Sequence, residues 1–171
     1  DFCLSRGLGD VYKRQMYNVL RDVPQVARIV QVAVRDFSRR EADLAASSGR
    51  IVTFDDLSLS EAEFRGEPWD AQCRRIVEAL PAEVYVSFDI DGLSFENCPH
   101  TGTPVPGGLS FNRAVWLLAA VVRSGRRIIG FDLVEVSPAP EERIDAITGA
   151  RMLWKLCGQA LLSNDKNHET A

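Results

Sequence analysis

The stretch of sequence with the clearest structural meaning is Glu83-Val84-Tyr85-Val86-Ser87-Phe88-Asp89-Ile90-Asp91-Gly92. Its first six residues are mostly β-branched or aromatic and predict a buried strand. Side chains two residues apart on a strand share a face, so Asp89 and Asp91 are expected to point the same way, roughly 6–7 Å apart. Paired carboxylates suit Mg²⁺, Mn²⁺ or Ca²⁺. A solvated turn that ends the strand would use the same residues, so the surrounding sequence must decide.

Apolar runs alternate with helical stretches on both sides of this strand. The pattern predicts strands over 28–34, 50–54, 83–88 and 127–134, and helices over 39–48, 69–80, 111–123 and 144–162. The segment 55–66 is expected to be mostly loop. This alternation is typical of an α/β fold with three layers, in which helices cover both faces of a mainly parallel sheet.

Polar residues follow three of the predicted strands, where open α/β sheets bind their ligands. These residues are Arg35, Asp36 and Ser38 after the first strand, Asp89 and Asp91 after the third, and Asp132 and Glu135 at the fourth. Three polar strand ends on one rim favour a functional site over a lone turn.

A loop of unusual stiffness lies between the third strand and the next helix. It reads Asn-Cys-Pro-His-Thr-Gly-Thr-Pro-Val-Pro-Gly-Gly over residues 97–108, and its prolines and glycines restrict its shape while Thr101 and Thr103 supply hydroxyl groups. A rigid connector between two elements remains an alternative interpretation. His100, in the same loop, is interpreted as a loop or pocket-wall histidine rather than a metal ligand.

Three motifs in this order resemble the C-terminal half of the ureohydrolase family, which includes arginase, agmatinase and formimidoylglutamase. They are the Ser87–Gly92 motif, the Thr101–Gly108 loop and Gly-Phe-Asp-Leu-Val-Glu-Val-Ser-Pro over residues 130–138. The resemblance covers nearly everything from Met16 to about Gly158. It implies an arginase-like fold that lacks its N-terminal part.

The resemblance also implies roles for individual residues. Asp89 and Asp91 take the positions of ligands to a dimanganese centre, and Glu135 that of the carboxylate that receives the substrate's guanidinium-like cation. Thr103 is implied to lie beside Glu135. Ser38 stands where arginases carry a second acid for the substrate's α-amino group, so agmatine or another guanidino or formimino compound is a better candidate substrate than free arginine.

The implied reaction is hydrolysis of a C–N bond in a linear amidine or guanidine, releasing urea or formamide. A guanidinium is resonance-stabilised, so attack on its carbon needs the hydroxide that two metal ions can generate near neutral pH. The family's upstream Gly-Gly-Asp-His and Asp-Ala-His-x-Asp motifs are not in this sequence. We therefore expect this chain, as an isolated fragment, to be inactive.

For Asp132, a supporting or helix-capping role is the preferred interpretation. Two other functional classes remain open: a nucleotide-sugar transferase that uses Asp-x-Asp to hold a metal and a diphosphate, and a non-catalytic binding or interface module of the same fold. A transferase site would need basic groups around the phosphates, whereas the threonine loop and Glu135 suit a cation.

Composition narrows the remaining choices. The chain has 171 residues, 46% of them hydrophobic, with a net charge of −4, which indicates one globular domain and argues against nucleic-acid or anionic-membrane partners. No apolar run reaches the roughly 18–20 residues of a membrane helix. The four cysteines form no C-x-x-C pair, which favours a reducing cytoplasm. We expect a homo-oligomer when the protein is intact.

The two ends of the chain differ from the rest. Residues 1–15 show no clean periodicity and are interpreted as a non-native leader, and 163–171 as a polar tail that contains His168. The arginase-like domain is therefore expected to span 16–162.

Overall fold

Helices and strands alternate along residues 15–137 and 139–165, the ranges that this computed structural model of the chain describes. In order they are α1 (Gln15–Asp22), β1 (Ile29–Val34), α2 (Arg39–Ser48), β2 (Ile51–Asp55), α3 (Asp56–Phe64), α4 (Trp69–Glu78), β3 (Glu83–Asp89), α5 (Phe111–Arg123), β4 (Arg127–Val134) and α6 (Ile144–Asn164). Two short 3-10 turns, Ile90–Gly92 and Phe95–Asn97, lie between β3 and α5.

The strands pair in parallel, as the alternating pattern predicts. β1 pairs with β2 from Ile29 opposite Ile51, and β3 pairs with β4 from Glu83 opposite Arg127. Each parallel pair is joined by a crossover that contains a helix. The α/β prediction is confirmed, with one difference: in the described ranges the strands form two separate two-stranded ladders instead of one continuous sheet.

The main core lies between β3 and the helices that follow it. Val84 and Val86 of β3 are buried among α4, α5 and α6, whose buried side chains include Ile76, Leu117 and Met152. Full burial of each such side chain contributes about 1.5–3 kcal/mol. The end of β3, where the carboxylates lie, is therefore held by a packed core.

One element differs in type from its prediction. The segment after β2, expected to be loop, contains α3. Asp55 caps this helix, since its Oδ1 accepts a hydrogen bond from the backbone N of Ser58 at 2.9 Å. Leu59 is buried while Leu57 is exposed, so the helix has no apolar stripe for a periodicity argument to detect.

Other boundaries agree closely. The predicted bounds of α2, α5 and β4 are confirmed, and Ser110 caps α5 through a bond from the Arg113 N at 3.3 Å. α4 ends two residues before the predicted residue, at Glu78. α6 extends beyond its predicted end, to Asn164, because its last residues bond to β4: Ser163 Oγ accepts from the Ile128 N at 3.0 Å.

Two further predictions concern the chain ends and membranes. Residues 1–14 and 166–171 lie outside the described residues, so the proposed leader and most of the tail, including His168, stay predictions. Within the described part of the chain, no helix combines the length and apolar character that spanning a bilayer requires.

Candidate metal and substrate site

Asp89 and Asp91 lie together at the end of β3, but not for the reason that strand periodicity suggests. The strand ends at Asp89, and Asp91 belongs to the 3-10 turn that follows. Asp89 Oδ1 accepts a hydrogen bond from the backbone N of Asp91 at 3.0 Å. The expectation that both residues share a strand face is therefore wrong; a tight turn brings them together.

Both carboxylates are removed from water. Asp89 is 9% exposed and Asp91 is 8% exposed. Burial, followed by the negative charge of Asp91, raises the pKa of Asp89 to about 9, and Glu135 adds a smaller repulsion. A divalent cation would reverse this effect, because it stabilises the ionised form of both groups.

This donor chemistry fits a hard divalent cation, since carboxylate oxygens are its preferred ligands. Within 15–137 and 139–165, however, no group of three or more His, Cys, Asp or Glu side chains is arranged to hold a metal ion. Among the described residues, Asp89 and Asp91 are thus a pair of candidate ligands without a third.

The stiff loop, residues 97–108, forms hydrogen bonds both to Asp91 and to the backbone of Glu135. Thr103 Oγ1 donates to Asp91 Oδ2 at 3.1 Å, and the buried Thr101 donates from Oγ1 to the carbonyl oxygen of Glu135 at 3.0 Å. Gly102, between the threonines, lies against the Glu135 carboxylate: a Cβ built there would be 3.4 Å from Glu135 Oε2. The loop therefore joins the end of β3 to the end of β4.

Glu135 follows β4 with an unusual backbone conformation. Its φ of 62° lies in the left-handed region, which is uncommon for a residue other than glycine. Its side chain is exposed, and its negative charge adds to the repulsion that raises the pKa of Asp89. An exposed carboxylate beside a buried acidic pair is suited to contact a cationic ligand.

Arg35, one of the polar residues at the predicted strand ends, contacts the acidic turn, although the sequence assigned it no role. It follows β1, and its guanidinium donates to the carbonyl oxygens of Asp91 and Leu93. Gly108 lies against it, where a Cβ would be 2.6 Å from Leu93 O and would also meet the guanidinium. The only sequence signal for this contact was the place of Arg35 directly after a strand.

Ser38, a predicted substrate contact, caps α2. Its Oγ accepts from the Glu41 N at 3.3 Å, and its own N donates to Glu41 Oε2 at 2.6 Å. Within the described residues, no hydrogen bond or ion pair connects Ser38 to the acidic pair. Its substrate role stays a prediction.

Asp132 and His100 occupy supporting positions. Asp132 Oδ1 accepts from Ser87 Oγ at 2.8 Å. It also helps burial to raise the pKa of Tyr85. His100 Nδ1 lies 2.9 Å from Asp145 Oδ1, in the first turn of α6. Sequence reasoning did not single out Asp145.

A small cavity lies behind Asp89, between β1 and β3. Its volume is about 30 Å³, and Ala33, Leu93 and Leu117 are among the residues that line it. One water molecule fits this volume, whereas a guanidino compound does not. This cavity is therefore too small for a guanidino compound, whereas Glu135, after β4, is exposed.

Comparison with known proteins gives a consistent result. The sequence model described as "Arginase family" matches residues 11–158. The N(1)-aminopropylagmatine ureohydrolase of Thermus thermophilus is 35% identical over 130 residues, which is 76% of this chain and 41% of that protein. The agmatinase of Pyrococcus horikoshii is 30% identical over 157 residues, covering 90% and 52% of the two chains. The chain spans about half the length of these curated relatives.

Solved structures share the fold. The proclavaminate amidino hydrolase of Streptomyces clavuligerus has a TM-score of 0.73 at 26% identity, with 89% of this chain and 49% of that chain covered. The agmatine ureohydrolase of Thermoplasma volcanium has a TM-score of 0.69 at 20% identity, with 92% and 50% covered, which bears on the fold alone.

Proposed function

Because this chain belongs to the arginase family, we propose that the protein containing it hydrolyses a C–N bond of a linear guanidine or amidine and releases urea or formamide. The observation that supports this most directly is the buried Asp89–Asp91 pair with the exposed Glu135 beside it. The buried Asp89–Asp91 pair suits a metal ion, and the exposed carboxylate of Glu135 suits an organic cation.

The proposal assigns a separate role to each part of the site. Asp89 and Asp91 would hold manganese, and two bound Mn²⁺ ions would supply hydroxide near neutral pH by lowering the pKa of water. Glu135 would pair with two N–H groups of the substrate in fork geometry and orient its plane. Thr103, bonded to Asp91, would hold that carboxylate in place.

The proposed substrates are agmatine and related guanidino or formimino compounds rather than free arginine. Ser38 provides no charge for an α-amino group, and its hydroxyl already caps α2. The names of the relatives from Thermus and Pyrococcus refer to aminopropylagmatine and agmatine. Both names indicate a guanidino group on a cationic chain.

The state of the protein is also part of the proposal. We expect the 171-residue chain alone to be inactive, because its described residues supply two carboxylates where a tight dinuclear site needs more ligands. Cys73, Cys98 and Cys157 are free thiols, which supports a cytoplasmic location. We propose a homo-oligomer as the intact form.

The test compares Glu135→Gln with Asp89→Asn in the complete gene product. Urea and formamide release would be measured with Mn²⁺ for agmatine, arginine, a guanidino acid and formiminoglutamate, and bound manganese by elemental analysis. Glu135→Gln should lower kcat/KM about 100-fold or more with manganese retained, because a charged hydrogen-bonding partner is lost. Asp89→Asn should lose the metal as well.

Glu78→Gln, an exposed change on α4, is the matched control and should leave turnover and metal content as in the parent. Normal kcat/KM of Glu135→Gln on every substrate would refute its assigned role. Unchanged manganese in Asp89→Asn would show that Asp89 is not a ligand.

A further inference from the structure

His100 and Asp145 form a contact that joins the threonine loop to α6. Both carboxylate oxygens of Asp145 take part: Oδ1 lies 2.9 Å from His100 Nδ1, and Oδ2 accepts from the backbone N of His100 at 3.2 Å. Asp145 is completely buried, whereas the His100 side chain keeps 32% exposure. The outer ring nitrogen, Nε2, lies 3.4 Å from the exposed Glu142.

A fully buried carboxylate is costly unless it is well paired. The ring and the backbone of His100 supply two partners for Asp145. Residues 45 positions apart are thereby held in one geometry. Such a contact restricts where the loop can lie relative to α6.

The backbone of Glu135 has a conformation that neighbouring segments must hold in place. A left-handed φ on a residue with a side chain is strained, and it persists only when the surroundings hold it. One restraint is the bond from Thr101, the residue directly after His100, to the Glu135 carbonyl oxygen.

The second restraint comes from α6 itself. Gly149, one turn after Asp145, packs against the residue that follows Glu135, and a Cβ on Gly149 would be 2.9 Å from Val136 Cγ2. The first turns of α6 therefore contact the loop on one side and the Glu135 segment on the other.

We propose that His100 and Asp145 are positioning residues for Glu135. By holding Thr101 against the Glu135 backbone, the pair keeps the carboxylate in the orientation in which it receives a planar cation. The statement about the cation rests on the proposed function, whereas the statement about the Glu135 backbone does not.

The experiment replaces the His100 imidazole with amide side chains that keep only one of its two nitrogen positions. In His100→Asn, the side-chain nitrogen takes the place of Nδ1 and can still donate to Asp145, whereas in His100→Gln it takes the place of Nε2. His100→Ala removes the ring contact altogether. Glu142→Gln is the control, because it alters only the exposed partner of the ring.

The first readout is the Cα and Cβ chemical shifts of Glu135 in the chain, which report its φ, together with deuterium exchange of the 98–103 segment. We expect His100→Ala and His100→Gln to shift the Glu135 signals away from left-handed values and to speed exchange about tenfold. His100→Asn and Glu142→Gln should resemble the parent. Asp145→Asn changes the other partner of the pair and should speed exchange of the His100 backbone amide, which donates to Asp145.

The second readout is steady-state kinetics of the complete gene product with Mn²⁺ and agmatine. His100→Ala should lower kcat/KM at least about tenfold with unchanged manganese content, because a small displacement of a substrate-orienting group lowers the rate strongly. His100→Asn should restore the kcat/KM of the parent.

Identical Glu135 shifts and exchange rates in His100→Ala and the parent would overturn the inference. Equal effects of His100→Asn and His100→Ala would overturn it too. If the parent hydrolyses no guanidino or formimino compound, the proposed function fails, while the shift and exchange comparison still decides whether the pair positions Glu135.

Discussion

The environment of the Asp89 carboxyl group makes its negative charge unfavourable in the folded chain without metal. Burial and the neighbouring Asp91 raise its pKa from 3.8 to about 9. The folded state therefore binds a proton that the unfolded state has lost between these values. This contribution to the free energy of unfolding is fully present below pH 4 and is lost as the pH rises toward 9.

We expect Asp89→Asn to stabilise the metal-free chain at pH 8, because the amide needs no proton there. The advantage over the parent should shrink toward pH 5, at no more than about 1.4 kcal/mol per pH unit. Urea unfolding in the presence of a chelator, at several pH values, measures this difference in the free energy of unfolding. Asp36→Asn, an exposed control, should show no such trend. A difference between Asp89→Asn and the parent that does not vary with pH would contradict the assignment.

We expect replacement of Glu135 by glycine to raise the stability of the chain and to abolish turnover. Because its φ is 62°, Glu135→Gly should relieve backbone strain and raise the free energy of unfolding by about 1 kcal/mol. The same change removes the proposed substrate contact, so turnover by the complete protein should be lost. Glu141→Gly, in an exposed loop with ordinary φ, should instead lower stability. Denaturant titrations and urea-release assays measure the two effects, and a destabilised Glu135→Gly would argue against stored strain.

Substitutions at two glycines of α6 distinguish the effect of packing on stability from the effect of helix propensity. Gly149 packs against Val136, whereas nothing lies within 4 Å of a Cβ built on Gly158. We expect Gly149→Ala to destabilise the chain by about 1–3 kcal/mol through overpacking. Gly158→Ala should stabilise it by about 0.5–1 kcal/mol, because alanine favours the helix.

Thermal or urea unfolding of the two variants tests this pair directly, since each serves as the control for the other. Equal changes of the same sign would show that α6 does not press on the Glu135 segment. A gain in stability for both would point to propensity alone.

At the scale of elements, local sequence patterns predicted most of the structure. The bounds of α2, α5 and β4 follow from caps and apolar periodicity that lie within each segment. α3 was missed because Asp55 and a single buried leucine stabilise it without a stripe. The closeness of Asp89 and Asp91 was predicted for the wrong reason, because a turn and a continued strand place polar residues at the same spacing.

At the scale of the whole molecule, one face of the β3–β4 ladder exposes apolar side chains. Tyr85 of β3 is 43% exposed, and Ile129 of β4, which lies where the register of the two strands shifts, is 54% exposed, whereas Val84 and Ile128 are buried. Exposed apolar patches of this kind mark surfaces that associate. The homo-oligomer expected from the sequence stays a prediction, and this face is a place to test it.

We expect the chain to associate with rising concentration, and Ile129→Glu to reduce that association because it charges the apolar face. Leu57→Glu, at an exposed position of α3, is the matched control and should behave as the parent. Light scattering after gel filtration over a concentration series measures the mass. Equal association of Ile129→Glu and the parent would show that this face takes no part.

The sequence by itself determined the α/β class, the parallel strands and the strand-end positions of Asp89, Asp91 and Glu135, because periodicity and turn chemistry act over a few neighbouring residues. Only the tertiary structure decided which of these groups meet. The Thr103 bond to Asp91, the left-handed φ of Glu135 and the buried pairing of His100 with Asp145 depend on segments brought together by the packed core. Contacts between residues tens of positions apart leave no periodic signal, so local patterns cannot predict them.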